Sequence, residues 1–201
     1  MKLYYAPYSR AVRVAWLLEE LETPYEVEKF SIRDKTLREP DYKKIHPLGR
    51  VPVLIDNKVK IYESGAIIEY ILSKYSDGKF KLDASDDDFH QYLQWLHFAE
   101  GMIMPPLNTI VVETILLPSE RRSDINVSRA KKLLSQVLGV VENRLEHVEY
   151  LAGKFTAADI MTGHATIMAN CHDISMDNKP RCRDYIKRLL QRPALQKAWS
   201  L

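Results

Sequence analysis

Two short stretches hold the residues with chemistry to offer. His46-Pro47-Leu48-Gly49-Arg50-Val51-Pro52-Val53-Leu54 joins a basic loop to an apolar strand, and Ile61-Tyr62-Glu63-Ser64-Gly65-Ala66-Ile67-Ile68 joins a strand to a helical run. Proline is the one residue for which a cis peptide bond costs little, and it pushes the residue before it out of helical space. Val51 is then left with its amide and carbonyl free to pair with an extended guest, which is strand addition on the scale of one residue. In the second stretch the periodic run Ala66, Ile67, Tyr70, Ile71 begins just after Ser64, so Ser64 reads as the opening of a helix. Helix openings bind carboxylates through unpaired amides. The guest that such backbone holds is peptide-like and acidic. A proline-marked turn and an ordinary capped helix account for either stretch alone, whereas the two together with the right strand between them are specific.

The elements that must position these stretches can be followed along the chain. Lys2 to Tyr5 is a short apolar strand, Ser9 to Glu22 is helical with Val12, Ala15, Trp16, Leu18 and Leu21 apolar, and Tyr25 to Phe30 alternates as a strand behind Pro24 at a sheet edge. A strand, helix and strand in that order make a right-handed parallel crossover, the start of a thioredoxin-like layer. Ser31 to Ile45 is polar, with at most a short helix introduced by Pro40. Val51 to Ile55 and Val59 to Tyr62 flank Asp56-Asn57-Lys58 as an antiparallel hairpin, and the next helix ends near Tyr75.

Lys81 to Asp88 is charged and aperiodic, which marks a linker. Beyond it the pattern is helical. Phe89 to Leu117 reads as one element bent near Pro105-Pro106, and after a polar Pro118 to Asp124 connection, Leu133, Leu134, Val137, Val141 and Leu145 share a face of a second long helix. Thr156-Ala157-Ala158-Asp159 has the spacing of a reciprocal cap, the hydroxyl accepting from the third following amide while Asp159 reaches back. Pro180 and Pro193 open the last two helical segments.

Bulk properties exclude several classes. The 201 residues are 46% hydrophobic and 28% charged, as in a globular protein with room for one or two domains, and a net charge of +2 with no dense basic block gives no reason to expect nucleic acid. The most apolar run, Thr109 to Leu117, is broken by Glu113 and too short to span a bilayer, and the start has no secretory apolar region, so the expected location is cytoplasmic with no membrane partner. Cys171 and Cys182 form no Cys-x-x-Cys pair and are expected as free thiols, and the six histidines lack the spacing of a zinc site, so no metal is expected.

The two opening stretches resemble the glutathione-binding half of the cytosolic glutathione transferase superfamily. The similarity extends to Tyr4-Tyr5-Ala6-Pro7-Tyr8-Ser9-Arg10-Ala11-Val12-Arg13 and to Phe155-Thr156-Ala157-Ala158-Asp159-Ile160, and so spans nearly the whole chain. The phrases Ser9-Arg10-Ala11 and Lys44-Ile45-His46-Pro47-Leu48-Gly49-Arg50 are similar to a serine-type, fungal and bacterial branch. The fold that the resemblance implies is α/β and thioredoxin-like over residues 1–76, followed by an all-α domain over residues 83–201. It further implies an enzyme that transfers glutathione, as co-substrate, to small hydrophobic electrophiles, working as a homodimer. The alternatives are a glutathione-dependent peroxidase and a non-catalytic glutathione-binding or assembly module.

By that resemblance Val51-Pro52 pairs with the cysteinyl backbone of glutathione and Glu63-Ser64 holds its γ-glutamyl end. A free thiol has a pKa near ~8.5, and lowering it by ~2 units takes about 3 kcal/mol of preferential stabilisation of the anion. A hydroxyl donor, a helix amino end and guanidinium groups each supply part of this. Ser9, followed by Arg10 and Arg13, is the hydroxyl that the serine-type branch implies, Tyr5 is its rival at the end of the first strand, and Tyr8 is a third. Ser9 can equally be a helix cap, and the tyrosines core residues with satisfied hydroxyls. Arg38, Arg50, Lys35 and His46 lie in the segment that would meet the glycine carboxylate, and Tyr8, Met102, Met104 and Pro105 would give the electrophile an adaptable apolar wall where the domains meet.

Overall fold

The computed structural model describes residues 1–31, 34–172 and 174–201, so residues 32 and 33 of the expected polar loop lie outside the described residues. Its backbone contacts divide the chain into two units, Met1–Lys81 with Leu190–Leu201, and Leu82–Leu189.

The first unit is built on a four-stranded sheet of order β2-β1-β3-β4, with β1 at Lys2–Tyr5, β2 at Glu26–Lys29, β3 at Val53–Asp56 and β4 at Val59–Tyr62. β1 pairs parallel with β2 and antiparallel with β3, and β3 pairs antiparallel with β4. The central strand β1 is buried from Leu3 to Tyr5, as expected of a strand covered on both faces. The expected hairpin forms with Asp56 opposite Val59 and a two-residue turn whose Asn57 has φ 54, the left-handed conformation that asparagine tolerates. β2 is an edge strand, which leaves room for Pro24 beside it.

Helix α1 runs from Ala11 to Glu20, two residues shorter at each end than the sequence pattern suggested, and Ala11 through Leu18 are all buried. One sheet face carries an aromatic cluster in which Tyr4, Phe30 and Tyr42 pack ring on ring with Leu37 and Val53. This cluster ties the 35–50 segment, including the 3-10 turn Lys35–Arg38 and the one-turn helix α2 at Pro40–Lys43, to the strands. Helix α3 spans Ser64–Tyr75.

The second unit is helical. α4 (Phe89–Phe98) continues through a π turn at Ala99–Ile103 into α5 (Met104–Val111) and a second π turn at Val112–Leu116, so the expected long element is present. Pro105 and Pro106 fall in the first turn of α5, where a missing amide hydrogen costs least, and the wider π turn just before them absorbs the broken ladder. α6 (Asp124–Leu145) is capped by Ser123, whose hydroxyl accepts from Asn126 N. Its buried face is Ala130, Leu134, Val137, Leu138, Val141, Glu142 and Leu145; Leu133, expected there, is 50% exposed because it lies one step off the stripe that Leu134 and Leu138 define.

Asp159 accepts from Thr156 N, as a reciprocal cap requires, but the Thr156 hydroxyl takes the second following amide, Ala158 N, while Asp159 N bonds the Thr156 carbonyl. A π turn (Asp159–Gly163) and α7 (His164–Cys171) follow, then α8 (Pro180–Leu190). Gly163 faces Leu189 and Tyr185 of α8 so closely that a Cβ there would lie 2.4 Å from Leu189 Cδ1. Cys171 and Cys182 are free.

The last helix, α9 (Pro193–Trp199), packs on α1 in the first unit, although the sequence groups it with the helical domain. Two acidic residues close α1, Glu19 and Glu20, where the helix dipole disfavours negative charge. Their partners come from the far end of the chain: Arg192 makes a forked pair with Glu20 at 2.6 and 2.8 Å, and Lys197 meets Glu19 at 2.7 Å.

Candidate functional site

The sheet register decides what comes together. Tyr4 stands opposite Val53, and Val53 opposite Tyr62. From that level three chain segments leave the same end of the sheet: Ala6 to Ser9 after β1, Val51-Pro52 before β3, and Glu63-Ser64 after β4. The motifs that the sequence singled out separately are thus neighbours by strand pairing alone.

The Val51-Pro52 peptide is cis. Pro52 is buried, Val51 half-buried, and the loop before them is held by Tyr42, whose hydroxyl donates to the Arg50 carbonyl at 2.9 Å. Gly49 has φ 61, and a Cβ on it would sit 2.1 Å from the Leu37 carbonyl oxygen, so this turn admits only glycine. His46 is buried, with Nδ1 accepting from Leu48 N at 3.1 Å and its ring against Tyr62. Burial holds the imidazole below its usual range, ahead of an opposing pull from Glu63, so His46 braces the loop rather than offering a cation. Arg38, Arg50 and Lys35 are exposed and available for an anionic group.

At the opening of α3 the cap is Glu63, with φ 75 and ψ 115, and Ser64 is the first helical residue rather than the cap. The first helical bond runs from Ile67 N to Glu63 O, leaving the Ser64, Gly65 and Ala66 amides without partners inside the helix. The left-handed backbone at a non-glycine costs about 1 kcal/mol or more and turns the chain sharply from strand to helix. The Ser64 hydroxyl accepts from Arg13 Nη1 at 3.2 Å. The sequence reading placed Arg13 beside a thiol; the structure puts it under the α3 opening instead. The available signal was a charge within α1 at a position surrounded by buried neighbours.

The three hydroxyl candidates separate. Tyr5 is fully buried, and its OH donates to the Ala198 carbonyl at 2.9 Å, with burial pushing its pKa up to about 12, so its proton is committed to α9. Ser9 is half-buried just before α1, whose cap is Arg10; its Oγ donates to Ala6 O at 2.7 Å and accepts from Ala11 N at 3.1 Å. Tyr8 is 58% exposed with φ 56, and its ring forms a T-shaped pair with Trp199, centroids 5.9 Å apart. In the helical unit Met102 is 48% exposed on the first π turn, whereas Met104 is buried at the start of α5. Among the described residues no group of three or more His, Cys, Asp or Glu is arranged to hold a metal, and no helix is long and apolar enough to cross a membrane.

Residues 1–73 match the family model of the glutathione S-transferase N-terminal domain. Over 204 residues the chain is 30% identical to glutathione S-transferase 3 of Schizosaccharomyces pombe, covering 96% of this chain and 84% of that one. The chain belongs to the cytosolic glutathione transferase superfamily. It is also similar to glutathione S-transferase F10 of Arabidopsis thaliana, at 32% identity over 157 residues that cover 76% of this chain and 73% of that one. Among solved structures, the glutathione transferase URE2P8 from Phanerochaete chrysosporium, determined with oxidized glutathione, superimposes with a TM-score of 0.88 at 28% identity, covering 99% of this chain and 93% of that one. The thioredoxin-like sheet and the helical remainder are the glutathione transferase fold.

Proposed function

We propose that this glutathione transferase binds glutathione across the end of the sheet and conjugates its thiolate to small hydrophobic electrophiles, with Ser9 as the hydroxyl donor to the sulfur. The observation that carries this reading is the Tyr4–Val53–Tyr62 register, which brings the Ser9 turn, the Val51 edge and the α3 opening to one place. An extended tripeptide reaches about 10 Å, at ~3.5 Å per residue. Its γ-glutamyl carboxylate would meet the free amides of Ser64 to Ala66, its cysteinyl amide and carbonyl would pair with Val51, and its glycine carboxylate would face Arg38 or Arg50. The solved relative with oxidized glutathione supports the choice of tripeptide.

The thiol must lose its proton on binding. The Ser9 proton rests on the Ala6 carbonyl, and rotation of the hydroxyl turns it toward a sulfur while Oγ keeps the Ala11 amide. A bond to an ionised acceptor is about twice as strong as the neutral one it replaces, so the exchange favours thiolate over thiol. The amino end of α1, which Ser9 precedes, adds positive potential. The reading includes a homodimer in the cytoplasm.

Retention on immobilised glutathione, conjugation of an aromatic halide, and reduction of an organic hydroperoxide test it together. Retention with conjugation, and loss of thiolate in Ser9→Ala read from the pH profile of turnover, is the expected result. Retention with hydroperoxide reduction alone makes the protein a peroxidase, and retention without either activity makes it a binder.

A further inference from the structure

The turn that carries Ser9 is made by an unusual residue. Pro7 and Tyr8 lie between Ala6 and Ser9, and the φ of 56 at Tyr8 is in the left-handed region that glycine or asparagine normally fills. A tyrosine held there costs about 1 to 2 kcal/mol locally. The compensation comes from the other end of the chain. Trp199 and Tyr8 pack ring against ring in a T-shaped pair, with centroids 5.9 Å apart and planes at 83°, a favourable aromatic geometry. Trp199 is in turn fixed at both ends of α9: Ala198 O receives the buried Tyr5 hydroxyl, and Arg192 forks onto Glu20, whose carboxylate also accepts from Trp16 Nε1.

We propose that Trp199 is a positioning residue for the Ser9 hydroxyl, acting by holding Tyr8 in its left-handed backbone conformation. Relaxation of Tyr8 to negative φ would rotate the peptide that enters Ser9, and Oγ would leave the place set by Ala6 O and Ala11 N. The inference rests on the transferase reading above, in which Ser9 donates to the bound thiol. The charged residues nearest in sequence to the serine are Arg10, which caps α1, and Arg13 within it, and Glu19 and Glu20 lie at its far end.

The test titrates the thiolate absorbance of bound glutathione in the ultraviolet against pH. Trp199→Ala should raise the apparent thiol pKa by about one unit, a loss of about tenfold in thiolate on the acid side of the transition. Trp199→Phe should restore most of it. Trp199→Ala combined with Tyr8→Gly should also restore the titration, because glycine adopts φ 56 without an aromatic brace. A titration unmoved in Trp199→Ala, or a shift that Tyr8→Gly fails to reverse, overturns the proposal, even if the KM for the electrophile rises. If Trp199→Ala does not fold, Trp199→Leu and Tyr8→Gly alone decide it by the same titration: Leu must shift it and the Tyr8→Gly background must not respond to Leu. Absence of any thiolate band in the wild-type complex overturns the transferase reading and this one with it, whereas a band indifferent to residue 199 overturns only this one.

Discussion

The guanidinium of Arg13, buried in α1, donates to the hydroxyl of Ser64 at the opening of α3, 3.2 Å away. The two residues are joined across 51 positions of sequence, and the bond fixes the helix end whose amides are offered to a carboxylate. Ser64→Ala is expected to raise the KM for glutathione about tenfold through loss of ~1.4 kcal/mol, with little change in kcat. Arg13→Lys should raise the same constant, and the double variant should cost less than the sum, because residues in one hydrogen-bonded pair are not additive. Steady-state kinetics with glutathione as the varied substrate measures all three.

Gly49→Ala should damage the cation-bearing loop without touching a ligand. The new Cβ would collide with backbone at Leu37 O, 2.1 Å away, in a conformation with φ 61 that alanine resists. A loss of about 2 kcal/mol or more is expected, with a rise in the KM for glutathione as the segment bearing Arg38 and Arg50 shifts. Thermal melting and kinetics read the two effects, and an unchanged melting temperature would show that the loop yields freely.

Much of this was legible in the sequence, and the omissions share a cause. The hairpin, the α3 start and the linker are written in local alternation, turn residues and charge, so Val59–Tyr62 is found where alternation put it. What local patterns cannot hold is the identity of a distant partner. Glu19 and Glu20 look like an unfavourable helix end until Arg192 and Lys197 arrive from more than 170 residues away, and Tyr5 looks like a free phenol until the Ala198 carbonyl accepts its hydrogen bond. Leu133 was misplaced by a smaller margin: on a helix one position separates a buried stripe from an exposed one.

Asp56 ends β3 and accepts from the hydroxyls of Tyr70 and Tyr75 and from Lys74 of α3. These bonds, the tyrosines' foremost, hold its carboxyl down to about 2. A depressed folded-state value means that the contribution is complete above the ordinary carboxylate range and is lost as pH falls toward 2. Asp56→Asn should therefore be less stable than wild type at pH 7, with the gap closing as both are acidified from about pH 4 downward. Urea unfolding at a series of pH values gives the comparison, and a constant gap would exclude the linkage.

Asp159 shows the opposite sign. It is fully buried and accepts from Leu151 N, Thr156 N and the Tyr185 hydroxyl, yet burial outweighs these bonds and pushes its carboxyl up to about 6. A raised folded-state value means that this group favours folding most when protonated, below about pH 4, and that the benefit fades as pH rises through about 6. Asp159→Asn should lack that slope. It should also be less stable throughout by about 2 to 3 kcal/mol, because an amide NH2 on one side of the group would face the N–H of Leu151 or of Thr156. The same urea series reads both effects, and a retained slope would assign it to another group.

Tyr5→Phe discriminates between Ser9 and its rival Tyr5 as donor to the thiol. The Tyr5 proton is spent on Ala198 O inside the core, so its removal should cost about 1 kcal/mol, a fall of roughly 2 to 4 °C in melting temperature for a chain of this size. Because that bond also anchors the residue before Trp199, a small rise in the pKa of the bound thiol should accompany it. Ser9→Ala removes a half-buried hydroxyl that donates to Ala6 O and accepts from Ala11 N at the opening of α1, so it should cost a similar ~1 kcal/mol in stability but raise the thiol pKa further. The ranking is the test. A larger thiol shift in Tyr5→Phe than in Ser9→Ala would mean that the phenol leaves its carbonyl when glutathione binds and is the donor.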